Sequence, residues 1–472
     1  MMPILLLVTI LLGIFGAGGA AEKVCIVGSG IGGASTAFFL QNYSTKPIEI
    51  AIYERHDQVG GRLAQVQLGD DKFEAGGSII ANKNRHMRDF VELLGLTPNS
   101  DLGDDNFGIW DGKTIFFQTS KPGGSYISQK FTQIWNSLLL LWRYGVSLFQ
   151  MDSYVSELME KWDQFYSEEM LVYTRVEDML KAVDLYEKTQ ITFEEDLIAR
   201  GFSSRLINEL ITLIVRINYG QNVSMHSLVG AVSLAGSGDE LWQVKEGNWK
   251  VPQGLIKYTN STLHLKEEIV SVTCNEGVYE VGLQSNQTDK CDAVVIATPL
   301  DEVEISFSPE VDIPGRSLQH TYTTFVRGLI NTKYFGADSQ ENLPTLIGTV
   351  EDPLLLFSSI SILKSYTDVE KAYKVFSRAP LTEANLDQLF KTRIQTLQLD
   401  WGAYPHYTAP ETFAPILLDD NHLYYVNTFE SVASAMEASA VAANNVARLL
   451  LSRMSGGILS CKAAQQQTHS EL

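Results

Sequence analysis

Cysteine is scarce in this chain, with Cys25, Cys274, Cys291 and Cys461 the only four among 472 residues. That is too few for the disulfide framework of a small secreted scaffold. No run of Lys and Arg occurs, and the formal net charge is −20, which sets the chain against any polyanion and excludes nucleic-acid binding. There is no Cys/His cluster at metal-ligand spacing and no Gly-x-Ser-x-Gly elbow, so hydrolysis has no support. Internal repeats are absent. What is present is ordinary for a folded protein: hydrophobic residues are 45% and charged residues 19%. The length exceeds what one hydrophobic core serves and predicts two or more domains.

Met1 and Met2 lead into an apolar run from Pro3 to Phe15, followed by the small residues Gly16 to Ala21. This is the layout of a secretory signal peptide, although no Lys or Arg precedes the apolar core. An uncleaved anchor is the alternative, and the run is short for a bilayer span. Residues 1–21 are therefore set aside. The sequons at Asn42, Asn222, Asn260 and Asn286 fit glycosylation in a lumenal compartment. Cys25 reads as a small core residue of an apolar strand, while Cys274 and Cys291 are candidates for a bridge between adjacent strands. The final His469-Ser470-Glu471-Leu472 loosely resembles an ER-retrieval tail, with the wrong second residue.

Lys23 to Val27 predicts a buried strand, Ala34 to Asn42 a helix, and Ile48 to Tyr53 a second strand. That strand–helix–strand unit opens a doubly wound α/β sheet. Long helical segments fill about Lys130 to Asn218. A β-rich stretch begins near Ile269, with a hairpin turn at Asn275-Glu276-Gly277. Val294 to Ala297 and Leu423 to Val426 predict further strands, and Ala435 to Leu451 an Ala-rich helix. The expected fold is α/β, a Rossmann-type domain built from discontinuous segments with an inserted α+β substrate domain. Its segments are 22–115, 261–305 and 416–455 for the first domain, with 116–260 (helical) and 306–415 (β-rich) for the second. Residues 456–472 form a tail.

Gly28-Ser29-Gly30-Ile31-Gly32-Gly33 follows the first strand and opens the helix, the context a dinucleotide fingerprint requires. The first glycine permits the tight turn, the second lets backbone approach a pyrophosphate, and the third packs helix on sheet. The helix N-terminus offers unpaired N–H groups to an anion. Glu54 ends the second strand, where a carboxylate accepts both ribose hydroxyls and repels a 2′-phosphate. Arg55, Gly60-Gly61-Arg62 and Glu74-Ala75-Gly76-Gly77-Ser78 then follow within one segment.

With those motifs the sequence resembles the FAD-dependent amine oxidases and related flavoproteins. The resemblance implies that Gly60, Gly61, Arg62, Gly76, Gly77 and Ser78 run beneath the pyrophosphate and ribityl chain of FAD, with Arg62 reaching phosphate. It implies that Ile269 contacts adenine, and that the helix opening at Met436, with Glu430 just ahead, meets the flavin ring. A helix N-terminus there stabilises reduced flavin. A narrower resemblance covers almost the whole chain. Leu141-Trp142-Arg143-Tyr144-Gly145, Arg216-Ile217-Asn218-Tyr219-Gly220-Gln221, Val229-Gly230-Ala231-Val232-Ser233-Leu234, Ala403-Tyr404-Pro405-His406-Tyr407 and Ala433-Ser434-Ala435-Met436-Glu437 resemble the prenylcysteine oxidase family. That family oxidises farnesyl- or geranylgeranyl-cysteine to cysteine, prenyl aldehyde and hydrogen peroxide, with O2 as acceptor, in lysosomal or comparable compartments.

The chemistry asks little of side chains. Hydride leaves the carbon next to sulfur, the cation is stabilised by sulfur and the allylic double bond, and water gives a hemithioacetal that collapses. The amine oxidases carry a lysine near the flavin; the strand from Tyr322 to Ile330 offers Thr323, Thr324 and Phe325 instead, which counts against amine oxidation. Tyr404 and His406, the candidate catalytic pair, and Tyr407 stand to bind the cysteine's amino or carboxylate group, or else form a packed aromatic turn. Asn218, Tyr219 and Gln221 pose the same choice. Trp135, Leu138, Leu139 and Trp142 are candidates for a prenyl cavity; the helix carrying them also reads as a half-buried core helix or one lying in a membrane interface. Rival readings are a flavin amine oxidase or desaturase on another lipophilic substrate, and a non-catalytic prenyl-binding escort. No obligate protein partner is implied. The expected location is a lysosome or vacuole, with the ER lumen or the exterior as alternatives.

Overall fold

The computed structural model describes residues 21–100, 106–121, 125–167, 169–237 and 240–454. The expected signal segment up to residue 20, and the C-terminal tail with Cys461, lie outside them. Five parallel strands form the first sheet, in the order Thr262–Leu265, Ile48–Glu54, Glu22–Val27, Ala293–Ile296, Leu423–Tyr425. The central strand is buried on both faces, as its unbroken apolar run requires. Val24 and Ile26 face one core, under the helices Ile31–Tyr43 and Met436–Arg453. Cys25 and Val27 face a second core, shared with the four-stranded sheet Thr288–Cys291, Val278–Leu283, Ile269–Asn275, Ser306–Ser308. In its hairpin Glu276 and Gly277 both have positive φ, 51° and 85°, the two-residue turn that matches strand twist.

The bridge forms between Cys25 and Cys291, and Cys274 is a free thiol. This corrects the expected Cys274–Cys291 pairing and the reading of Cys25 as a simple core residue. Tyr279 pairs with Cys274 on one side and with Cys291 on the other, so a whole strand separates those two cysteines.

A seven-stranded sheet runs Phe390–Pro405, Leu318–Ile330, Lys371–Ser377, Ser359–Ser365, Leu346–Thr349, Phe107–Trp110, Ile115–Gln118. Of its last two strands, Phe107–Trp110 falls within 22–115 and Ile115–Gln118 runs into 116–260; Phe107–Trp110 joins this sheet by pairing in parallel with Leu346–Thr349. Helices fill much of the stretch between them and the first sheet's return. Three of these, Ser147–Trp162, Phe193–Ala199 and Ser227–Ser237, meet at the buried Asp196. Its carboxylate accepts from Lys188 Nζ at 2.7 Å, Tyr154 Oη at 2.7 Å and Arg200 Nε at 3.1 Å, and from the Ser227 hydroxyl. Burial alone would raise this carboxyl, but those donors, Lys188 foremost, hold it at about 2.

Candidate cofactor and substrate site

The fingerprint turn is made by backbone constraints that only glycine meets. Gly28 has φ +104°, and its N–H donates to Tyr53 O at 2.8 Å. A Cβ on Gly33 would lie 2.1 Å from Gly28 O, so the helix could not seat on the strand with any other residue there. Gly30 differs: a Cβ would meet nothing nearer than Gly60 O at 3.8 Å. No protein atom explains its being glycine, and the open space above it suits a pyrophosphate. Gly30 bridges Gly60, and Gly61 borders the same turn, so the two glycine segments form one groove. Ile31 and Gly32 turn inward, Gly32 against Val426.

Glu54 closes the turn. Its Oε2 accepts from Ser29 N at 3.0 Å and Ser29 Oγ at 2.6 Å, and its Oε1 from His56 N at 3.0 Å. The backbone N–H of Glu267 donates to Glu54 O at 3.0 Å, which brings buried Ile269 close to this strand end. Arg55 lies exposed, donating to Glu302 O at 3.5 Å.

Arg62 reaches from the second glycine segment to the C-terminal one. Nη1 donates to Ala403 O at 2.9 Å, and Nη2 forms an ion pair with buried Glu430. Glu430 Oε1 also accepts from Asn427 Nδ2 at 2.8 Å, whereas Oε2 has no hydrogen-bond partner and only Arg316 at 3.6 Å. A buried acceptor left in this state awaits a donor. Gly76 is pinned against Arg62 O and Trp401, and Gly77 lies beside Met436 where the C-terminal helix begins. The groove, the guanidinium and the helix N-terminus together fit a dinucleotide. Glu437 does not face it; its carboxylate accepts from His86 N at 2.8 Å, Met87 N at 3.0 Å and Tyr166 Oη at 2.8 Å, and burial raises it to about 6.

Lys374 was not foreseen. It is buried, its Nζ donates to Glu74 O at 3.0 Å and Ser78 Oγ at 3.2 Å, and burial pushes it down to about 8. It comes from the strand beside Tyr322–Ile330, directly opposite Phe325. Buried His226 was missed too. Its Nε2 lies 2.9 Å from Ser431 O, Nδ1 accepts from Val229 N at 3.3 Å, and burial lowers it to about 4, so the ring is neutral.

The aromatic candidates divide. Tyr219 packs edge-on against Tyr404 at 5.1 Å and Tyr407 at 5.4 Å. Tyr407 Oη accepts from Ser434 N at 2.8 Å, tying this cluster to the segment before Met436. Gln221 braces the same turn, its Oε1 accepting from Tyr407 N at 3.0 Å. His406 is exposed, its Nδ1 3.1 Å from Gln221 Oε1, and stands outside the buried cluster of tyrosines. Asn218 is engaged by Ser233 Oγ at 2.8 Å on the neighbouring helix. Trp135, Leu138 and Trp142 point to the outside, so they do not line an enclosed prenyl cavity; Leu139 packs inward on the core. Among the described residues no group of His, Cys, Asp or Glu could hold a metal.

These elements define a dinucleotide-binding α/β fold of the kind seen in FAD-dependent amine oxidases. A putrescine oxidase variant superimposes with a TM-score of 0.63 over 92% of this chain and 99% of its own, at 13% identity. Residues 26–94 match the NAD(P)-binding Rossmann-like domain. Residues 127–462 match the prenylcysteine lyase family, and the chain belongs to it. It is 49% identical to farnesylcysteine lyase of Arabidopsis thaliana, covering 91% of this chain and 88% of that one. It is 34% identical to prenylcysteine oxidase 1 of Homo sapiens, covering 92% and 90%.

Proposed function

We propose that this chain is an FAD-dependent thioether oxidase that cleaves prenyl-L-cysteines to cysteine, prenyl aldehyde and hydrogen peroxide, in the breakdown of prenylated proteins. The observation that carries the reading is the 49% identity to farnesylcysteine lyase in a chain whose glycine groove, Arg62 and Glu430 fit FAD. When bound, FAD supplies a two-electron acceptor that O2 reoxidises. Arg62 holds phosphate, Glu54 accepts from the ribose hydroxyls, and Glu430 takes a donor at its free oxygen. The N–H groups opening the Met436 helix offer partial positive charge to the ring. Tyr219, Tyr404 and Tyr407 wall off water and orient the cysteine end of the substrate.

The proposed location is the secretory pathway, ending in a lysosome or vacuole. Supporting it are the apolar N-terminal run, the Cys25–Cys291 disulfide and the exposed sequons Asn42, Asn260 and Asn286. Asn222 is half-buried, its Oδ1 accepting from Ser224 N at 2.9 Å, and is the weakest glycan site of the four. The test is a purified protein with flavin absorbance that releases peroxide from farnesylcysteine. Peroxide from simple amines alone would replace the reading with an amine oxidase, and a colourless protein that takes up no FAD would leave a prenyl-binding escort.

A further inference from the structure

The helix Tyr126–Tyr144 sorts its side chains onto two faces. Inward, Asn136 bonds the backbone of Ser120 twice, at 2.7 and 2.9 Å, and Tyr144 packs edge-on against Phe117. Arg143 grips Glu209 with two bonds, at 2.6 and 3.0 Å. Outward, Phe131, Ile134, Trp135, Leu138, Leu141 and Trp142 recur at three- and four-residue steps and are all exposed. Past Gly145 the apolar surface continues with Val146 and Phe149. Exposure reaches 84% at Trp142, 73% at Val146 and 69% at Phe131. A contiguous apolar surface of this kind marks an interaction site.

Charge identifies what it meets. From Gly112 to Met151 there is no Asp or Glu, in a chain that carries 56 of them. The same stretch holds the exposed Lys113 and Lys121, while Arg143 is matched by Glu209. A second copy docked face to face would set two such lysine-bearing stretches against each other. An anionic lipid surface instead gives the lysines negative headgroups, and gives Trp and Phe the boundary region such rings favour. No helix among the described residues is long and apolar enough to cross a membrane, so this one lies along it.

We propose that the outer face of Tyr126–Tyr144, extended by Val146 and Phe149, docks the protein onto a bilayer containing anionic lipid. The docking stands on these residues alone; its use in collecting a lipophilic prenylcysteine rests on the function proposed above.

The test is flotation of the flavin-loaded protein with vesicles of phosphatidylcholine, alone or mixed with phosphatidylserine. The wild type should float with the mixed vesicles in preference to the neutral ones. Phe131→Glu with Phe149→Glu should lower the bound fraction about tenfold or more. Lys113→Glu with Lys121→Glu should remove the preference for phosphatidylserine. Flavin absorbance and melting temperature establish that each variant is folded. A wild type that binds neither vesicle, or a double phenylalanine variant that floats unchanged, overturns the proposal. So does light scattering that finds a wild-type dimer and a variant monomer, which would assign the face to a second copy. Peroxide release from detergent-dispersed farnesylcysteine needs no bilayer and reports separately on the reaction.

Discussion

Lys374 lies directly opposite Phe325 across two antiparallel strands, its ammonium 5.7 Å from the centre of the phenyl ring. From there it reaches Ser78 and Glu74, holding the second glycine segment against the sheet. Lys374→Met should therefore loosen that segment and weaken flavin retention, at a stability cost of about 1–3 kcal/mol for the donor removed. The pH dependence has a definite sign. Burial puts Lys374 at about 8, below its ordinary 10.5, so between those values the unfolded chain binds more protons. The cost of burying the cation is fully present below pH 8 and is relieved as pH rises. The melting-temperature difference between wild type and variant should shift in favour of wild type over that window; a flat difference would show that Lys374 is not titrating there.

Gly30 and Gly33 should fail in different ways. Gly30→Val meets no protein atom at its Cβ nearer than 3.8 Å, so it should fold and melt normally yet retain little flavin, read from absorbance after gel filtration. Gly33→Ala drives its Cβ to 2.1 Å from Gly28 O and should cost about 1–3 kcal/mol or more in stability. Equal flavin retention in Gly30→Val and wild type would remove the pyrophosphate role.

Arg62→Ala removes the nearer of the two guanidiniums that face the almost wholly buried Glu430, leaving Arg316 at 3.6 Å. With Arg62 30% exposed and Arg316 and Asn427 still in place, the loss should be about 1–3 kcal/mol. The double variant Arg62→Ala with Glu430→Gln should recover part of that stability without recovering flavin, because the phosphate ligand is still missing. Thermal melting and flavin content, measured on the same samples, separate the two effects.

Reducing the Cys25–Cys291 bridge, or replacing Cys25 by Ser, should lower stability by about 2–4 kcal/mol, since the bridge closes a long loop across two sheets. Cys274→Ser should leave the melting temperature nearly unchanged, because Cys274 is a free thiol and its loss breaks no bridge. A large loss on Cys274→Ser would contradict the pairing.

The fingerprint was legible in the sequence because its determinants are local: a strand, three glycines and a helix within one short stretch, then Glu54 on the next strand. The disulfide was not, because Cys25 meets Cys291 through a parallel crossover, while Tyr279 occupies the place between Cys274 and Cys291. Lys374 escaped for the same kind of reason; strand pairing, not position along the chain, sets it opposite Phe325. Trp135, Leu138 and Trp142 were read as helical and apolar, which they are, but periodicity says only that a face is apolar and not whether protein covers it. Asn218 and His406 sit beside Tyr219 and Tyr407 in the sequence, but their contacts with Ser233 and Gln221 are set by packing between separate elements, which spacing does not reveal.

The strand that carries the fingerprint is flanked by one that begins at Ala293, and that in turn by one that begins at Leu423. Gly32 rests on Val426, and the fingerprint helix packs along the helix that runs to Arg453. During synthesis, then, the strand Glu22–Val27 keeps one edge unpaired until Ala293–Ile296 has emerged, and its helix keeps one face uncovered until Met436–Arg453 has followed. A chain cut before Leu423 should therefore hold every fingerprint residue and still leave the fingerprint helix with a bare apolar face.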